Sequence, residues 1–247
     1  MRFLPLSLVA VSLLALTMHA QQMPRPYPGV RTVVPGIFVT PVPNAPFTAR
    51  VDIISHEILP DGTVNIRTTI AHVARSSSGR IYNERRMLVP ASFKGEPILL
   101  SALIYDPKNR LSTFYEPATH PARERTLPQP PRPAANSVPG PAPANNPYFK
   151  EEQIGTQPLG GLTLTGIRRT RTIPAQVSTT GKDLVITDEY WYSPDLSIYM
   201  IIKHNDPRTG EQIVAVSEVD RHEPPGTLMT VPQGYKVVDE NPPEATQ

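Results

Sequence analysis

Hydrophobic and polar residues alternate with a period of two in separate runs between residues 51 and 115 and again after residue 148, and helical periodicity is scarce. Residues 51–58, 64–73 and 80–89 read as three antiparallel strands, and 98–105 with 111–115 as a further hairpin closing on Asp106-Pro107-Lys108-Asn109. Ser76-Ser77-Ser78-Gly79 supplies the turn between the second and third strands. Between the first two, Leu59-Pro60-Asp61-Gly62-Thr63 has Pro and Asp at the centre of a type I turn and Gly where the left-handed bulge residue sits. That turn predicts a register: Leu59 faces Thr63, Ile58 lies opposite Val64, His56 opposite Ile66 and Ile54 opposite Thr68. One apolar face is then expected to run through these pairs, with Arg67 pointing the other way.

The pattern resumes at Tyr148. Residues 154–157 and 162–173 read as two strands joined by Pro158-Leu159-Gly160-Gly161, and the alternation breaks around Gly166, as where a strand bends or bulges. Residues 188–238 form a β-meander. An aromatic strand is followed by a Ser193-Pro194-Asp195 turn, an apolar strand, a charged turn from Asp206 to Gly210, a third strand and a closing Val231-Pro232-Gln233-Gly234-Tyr235. The fold class expected is mainly β, a single antiparallel sheet with few helices and a long Pro-rich loop. One sheet is preferred to two domains because neither half holds enough strand for a core of its own.

Proline sets the boundaries: there are 31, and most fall in two blocks. Residues 21–46 are expected to be an extended arm, pairing at a sheet edge through Ile37-Phe38-Val39. Residues 116–147 are expected to be a disordered or polyproline-like loop, too poor in apolar side chains to offset its ordering entropy. Residues 1–20, with Arg2, an apolar run and Ala20, read as a secretory signal peptide, too short for a membrane span. The layout is thus a signal peptide at 1–20, an arm at 21–46, a β domain at 47–238 interrupted by the 116–147 loop, and a tail at 239–247.

A formal charge of +2 gives no electrostatic footprint for nucleic acid. With no Cys the chain has no disulfides, although a periplasmic or secreted location would permit them. Catalytic motifs are missing where they would be sought. His56-Glu57 lacks the second zinc His, His222-Glu223 runs into Pro224-Pro225, and there is no G-x-S-x-G elbow or phosphate-cradling glycine loop. His56, His72, His120, His204 and His222 are scattered, so no catalytic residue, metal site or cofactor is expected. Arg168, Arg169 and Arg171 form a basic cluster, read as a solvated strand face or edge guard, with an anion or phospholipid headgroup site as the alternative.

Tyr190, Trp191, Tyr192, Tyr199 and Met200 are the candidate ligand-binding residues. The strand 196–202 is apolar on both faces and so must be covered on both. Either it is the sheet centre, or one face lines a cavity whose rigid walls are the tryptophan and tyrosines.

The succession of aromatic strand, Ser-Pro-Asp turn, apolar strand, charged turn with Gly and terminal Pro-x-Gly resembles the C-terminal half of the LolA-like half-barrels, the periplasmic lipoprotein carriers and lipid-sensing regulators. Trp191 falls where those proteins have a strand aromatic, Lys203 near the end of the following strand, and Val231-Pro232 with Gly234-Tyr235 where they close. The chain is also similar to uncharacterised secreted bacterial proteins with the same Trp-Tyr-Ser-Pro-Asp segment. The resemblance implies a curved, half-barrel-like sheet whose concave face receives acyl chains or a partner's hydrophobic segment. The function expected is therefore an exported, non-catalytic binding protein for a lipid or lipidated protein. The alternative is a structural or envelope protein-interaction module with a filled core.

Overall fold

Strands β1 (Phe47–Ile58) and β2 (Val64–Arg75) form the longest hairpin. Leu59 N–H donates to the Thr63 carbonyl at 2.9 Å, and Gly62 sits at φ +82°. Ile58 pairs with Val64, His56 with Ile66 and Ile54 with Thr68, the register the turn chemistry dictates. The buried face, however, is the other one. Phe47, Ala49, Val51 and Ile53 are buried together with Ala71 and Val73, while Ile54, Val64 and Ile66 are exposed. Arg67 belongs to the row of Ser55, on the buried side, and its Nη2 donates to the Leu88 carbonyl. Both faces of this hairpin carry apolar residues, and what decides between them is the segment that covers one.

The computed structural model describes residues 35–129 and 146–241. Further strands are β3 (Ile81–Arg86), β4 (Val89–Pro90), β5 (Leu99–Asp106), β6 (Leu111–Tyr115) and β7 (Pro121–Thr126). After the undescribed stretch come β8 (Phe149–Leu159), β9 (Leu162–Ile173), β10 (Leu184–Ser193), β11 (Ile198–Asp206), β12 (Gly210–Asp220) and β13 (Lys236–Asp239). Among the described residues they make one curved sheet of 13 strands, not closed into a barrel, with 57% strand and 2% helix. The order is β13-β7-β6-β5-β3-β2-β1-β12-β11-β10-β9-β8, with β4 attached to β2. The two halves of the chain meet where β1 pairs antiparallel with β12 along Thr48 to Glu57. Among the described strands, β7 and β13 run parallel to each other and the other neighbours pair antiparallel.

Three expectations are corrected here. The 80–89 strand is two, β3 and the short β4, which turns back onto β2. Residues 116–147 are not irregular throughout: Pro121–Thr126 is β7, with proline at its first position, where a missing N–H costs no ladder bond. Ile37-Phe38-Val39 does not pair at an edge. It lies across the sheet, with Ile37 and Val39 buried and Phe38 exposed, and Pro35, Pro41 and Pro43 around it have no N–H to offer a neighbouring strand. The proposed signal peptide, residues 21–34 of the arm, the centre of the Pro-rich loop and the end of the tail lie outside the described residues.

Each face has its own core. On one, Ile37 and Val39 cap Phe47, Val51, Leu164, Leu196, Ile198, Met200 and Val214. On the other, Met229 and its neighbours Leu228, Val231 and Tyr235 pack on Ala74, Tyr82, Ala102, Ile104 and Tyr115. The segment after β12 is tied down over that second face. The Glu223 carboxylate accepts from Ser77 N–H at 2.9 Å, Arg80 Nη2 donates to the Met229 carbonyl at 2.8 Å, and Tyr235 meets Tyr115 edge-on at 5.0 Å. On the first face the fastening is Arg75, fully buried beneath the N-terminal segment. Its guanidinium donates to the carbonyls of Ala45 (2.7 Å), Thr40 (2.8 Å) and Leu196 (2.8 Å) and lies 5.0 Å from the Phe47 ring centre.

Candidate functional site

The first face is only partly filled by its own side chains. Over β9 to β12 it is solid core, but over β1, β2, β3, β5 and β6 it leaves a cleft of about 340 Å³, roofed by Pro35 to Phe38. Strand pairing lays out the floor in rows. Val51 pairs with Ala71 and Ile53 with Thr69. Val73 pairs with Asn83, Asn83 with Leu103 and Leu103 with Phe114, and Arg85 pairs with Ser101. Period-two alternation aims all of these to one side. The volume is at the lower end of what small-molecule sites enclose. A rigid sheet forms the base and an irregular segment forms the roof.

Beneath the polar end of the floor, on the reverse side of β3, Glu84 is a hub. Its carboxylate accepts from Arg86 Nε (2.8 Å), the Tyr82 hydroxyl (2.8 Å) and His72 N–H (3.1 Å). Burial works against the charged form of Glu84, but the bonds from Arg86, Tyr82 and His72 more than offset it and hold the carboxyl below its ordinary 4.5. Burial likewise pushes the Tyr82 hydroxyl far above its usual range. A folded-state value below the unfolded one contributes stability that is complete above about pH 4.5 and is lost as pH falls through the folded value. The melting temperature is therefore expected to drop from about pH 5 downwards, and Glu84→Gln to flatten that drop. Equal acid slopes in the two proteins would contradict this role for Glu84.

The five aromatic and methionine candidates do not sit on the cleft, and they do not share a face. Met200 is fully buried, and Trp191 packs against the same core cluster from β10. Tyr190 and Tyr192 alternate with Trp191 and point to the opposite side, where Tyr199 lies 5.5 and 5.4 Å from their ring centres. Tyr199 itself is exposed. Trp191 crosses Gly166 on β9, where an added Cβ would lie 2.7 Å from the indole and 2.7 Å from the Ile154 side chain. Gly166 is thus the floor of the tryptophan, and the register shift falls on the neighbouring strand, between Gln153 and Gly155.

The arginine cluster is neutralised across strands: Arg168 meets Glu189 at 2.6 Å, Arg169 meets Glu151 at 2.7 Å, and Arg171 lies 3.7 Å from Asp188. The histidines are dispersed as well. His56, His72, His204 and His222 each face a carboxylate, and His120 stacks on Tyr235 at 5.7 Å. Among the described residues, no three His, Asp or Glu side chains gather to hold a metal, and no helix is long and apolar enough to cross a membrane.

No protein-family model and no curated protein matches the chain. Solved structures similar to it include an uncharacterized conserved protein from Thermus thermophilus, at 12% identity over 80% of this chain and 91% of that one, with a TM-score of 0.42. MucB is similar at 8% identity over 78% of this chain and 60% of its own, TM-score 0.37. A LolA superfamily protein from Nitrosomonas europaea is similar at 14% identity over 77% and 92%, TM-score 0.29. At such identities and scores nothing about ligand or activity passes from these proteins to this chain.

Proposed function

We propose that this chain is an exported, non-catalytic binding protein that holds a hydrophobic ligand, a lipid or a lipidated partner, in the cleft between the Pro35–Phe38 segment and the sheet. The observation that carries the reading is the cleft itself: about 340 Å³ on an otherwise filled face, walled by Val51, Ile53, Ala71, Val73, Leu103 and Phe114. The strand-and-turn resemblance to LolA-like half-barrels supports a lipid class of ligand and a periplasmic or secreted setting. The filled half of the face, around Leu164, Ile198, Met200 and Val214, favours the second reading, an envelope-interaction module with no small-molecule ligand.

A fluorescent apolar probe separates the two. Ala71→Phe places a ring in the middle of the floor at an overpacking cost of about 1–3 kcal/mol, which leaves the protein folded. It is expected to weaken probe binding by about tenfold or more, while Tyr199→Ala leaves binding unchanged. Loss of binding in Tyr199→Ala with Ala71→Phe unaffected would move the site to the tyrosine face. No binding by the unaltered protein would favour the module.

A further inference from the structure

The floor of the cleft changes chemistry along its length. On β1 and β2 it is aliphatic, with Val51, Ile53 and Val73; on β3 and β5 it offers Asn83, Arg85 and Ser101. Asn83 and Arg85 are two apart on one strand, hence on one side, and Ser101 is the direct cross-strand partner of Arg85. Both side-chain polar atoms of Asn83 are shielded from solvent and have no hydrogen-bond partner. Such a group destabilises a fold unless something arrives to satisfy it. Arg85 is exposed, and no described carboxylate lies within ion-pair distance of it, unlike Arg86, Arg168, Arg169 and Arg208. Glu84 and Arg86, which border the cleft, neutralise each other at 2.8 Å, with the Glu84 carboxylate on the reverse side of β3. The cleft therefore presents one uncompensated cation next to an unmet amide and a hydroxyl.

Size narrows the guest further. Taking a methylene as about the size of a water molecule, roughly 30 Å³, the cleft holds on the order of ten carbons. That matches one chain of medium length. Phe38 and Phe114, both partly open to solvent at the margin, extend the apolar track outwards.

Resting on the reading of the cleft as a ligand site, the geometry points to a single-chain amphiphile with an anionic head. The chain lies on Val51, Ile53 and Val73. The carboxylate or phosphate accepts from the Arg85 guanidinium, the Asn83 amide N–H and the Ser101 hydroxyl, charge-assisted bonds of the stronger kind. A free fatty acid and a lysophospholipid share this chemistry.

The test is calorimetric titration of the full chain at about pH 8, below micelle-forming concentrations, with dodecanoate, dodecyl phosphate and dodecanol. Both anions are expected to bind about tenfold or more tightly than the alcohol. Arg85→Gln, at an exposed position, should bring them to within about twofold of dodecanol while leaving the alcohol's own affinity unchanged. A tighter dodecyl phosphate assigns a phosphate-headed lipid; a tighter dodecanoate assigns a fatty acid. Equal binding of anion and alcohol, or a preference that survives Arg85→Gln, overturns the head-group assignment and leaves the cleft reading intact. If none of the three binds, the cleft reading falls and this inference with it.

Discussion

Replacing Arg75 by alanine is expected to cost about 3–5 kcal/mol, among the largest effects of any single substitution in this protein. For a domain of this size that lowers the melting temperature by roughly 10–15 °C. The guanidinium is fully buried, and burial pulls its pKa below the usual arginine value, so the protein has placed a cation where water cannot help it. What compensates is geometry. Three carbonyls from three places in the chain, Thr40, Ala45 and Leu196, accept from one planar fork. Losing the fork leaves all three oxygens unmet and frees the N-terminal segment from both β2 and the β10–β11 turn. Arg75→Met, which keeps most of the stem, is expected to melt nearly as low as Arg75→Ala, because the loss is in hydrogen bonds more than in volume. Arg75→Lys should also fall well short of the unaltered protein, since a point-charge ammonium cannot reproduce the fork. A melt within about 2 °C of the original for Arg75→Met would contradict the clasp.

The second large effect is expected at Trp191. Trp191→Ala removes a ring packed on the main core, at a cost of about 3 kcal/mol. Alanine at His56, His72, His120, His204 or His222 should cost about 1 kcal/mol or less in each case. The bare backbone at Gly166 gives the ring its place, so Gly166→Ala should also destabilise, through overlap with the indole and with Ile154. The two substitutions are coupled: with Trp191 already alanine, Gly166→Ala is expected to cost less than it does alone, the overlap with Ile154 remaining. Additive losses in that double-mutant cycle would show that the contact between them carries no energy, and a histidine variant that unfolds first would overturn the ranking.

Local chemistry is readable where a short stretch determines its own geometry. The Leu59 to Thr63 turn specifies left-handed Gly62 and, through it, the pairing of twelve-residue strands. The choice of face is not readable from the same residues. Ile54, Ile58, Val64 and Ile66 make as apolar a row as Val51, Ile53, Ala71 and Val73, and only the distant Ile37 and Val39 settle which row is covered. The arm itself is legible as extended, because prolines forbid helix and ladder alike, but its seat on the sheet depends on Arg75. Nothing near Arg75 in sequence distinguishes it from a surface arginine at a strand end.

The candidate site escapes a sequence reading for a related reason. Aromatic density points to Tyr190, Trp191, Tyr192 and Tyr199, yet alternation along β10 necessarily splits such a run between two faces. The cleft is assembled from unremarkable positions on five strands, and Asn83 is polar in a strand interior for no local reason. Asn83 two residues before Arg85 on one face of β3 is the one available signal. Recognising it requires the Val73–Asn83–Leu103–Phe114 row, which no hairpin turn specifies by itself.

Whether the cleft over β1, β2, β3, β5 and β6 is made to hold a lipid chain is tested most directly by native mass spectrometry of the full-length protein, purified from its host without added lipid. The expected result is a bound species with the mass of one single-chain anionic amphiphile, retained by Tyr199→Ala and absent from Ala71→Phe. A bare protein mass in all three, with no uptake of added dodecanoate, would contradict it.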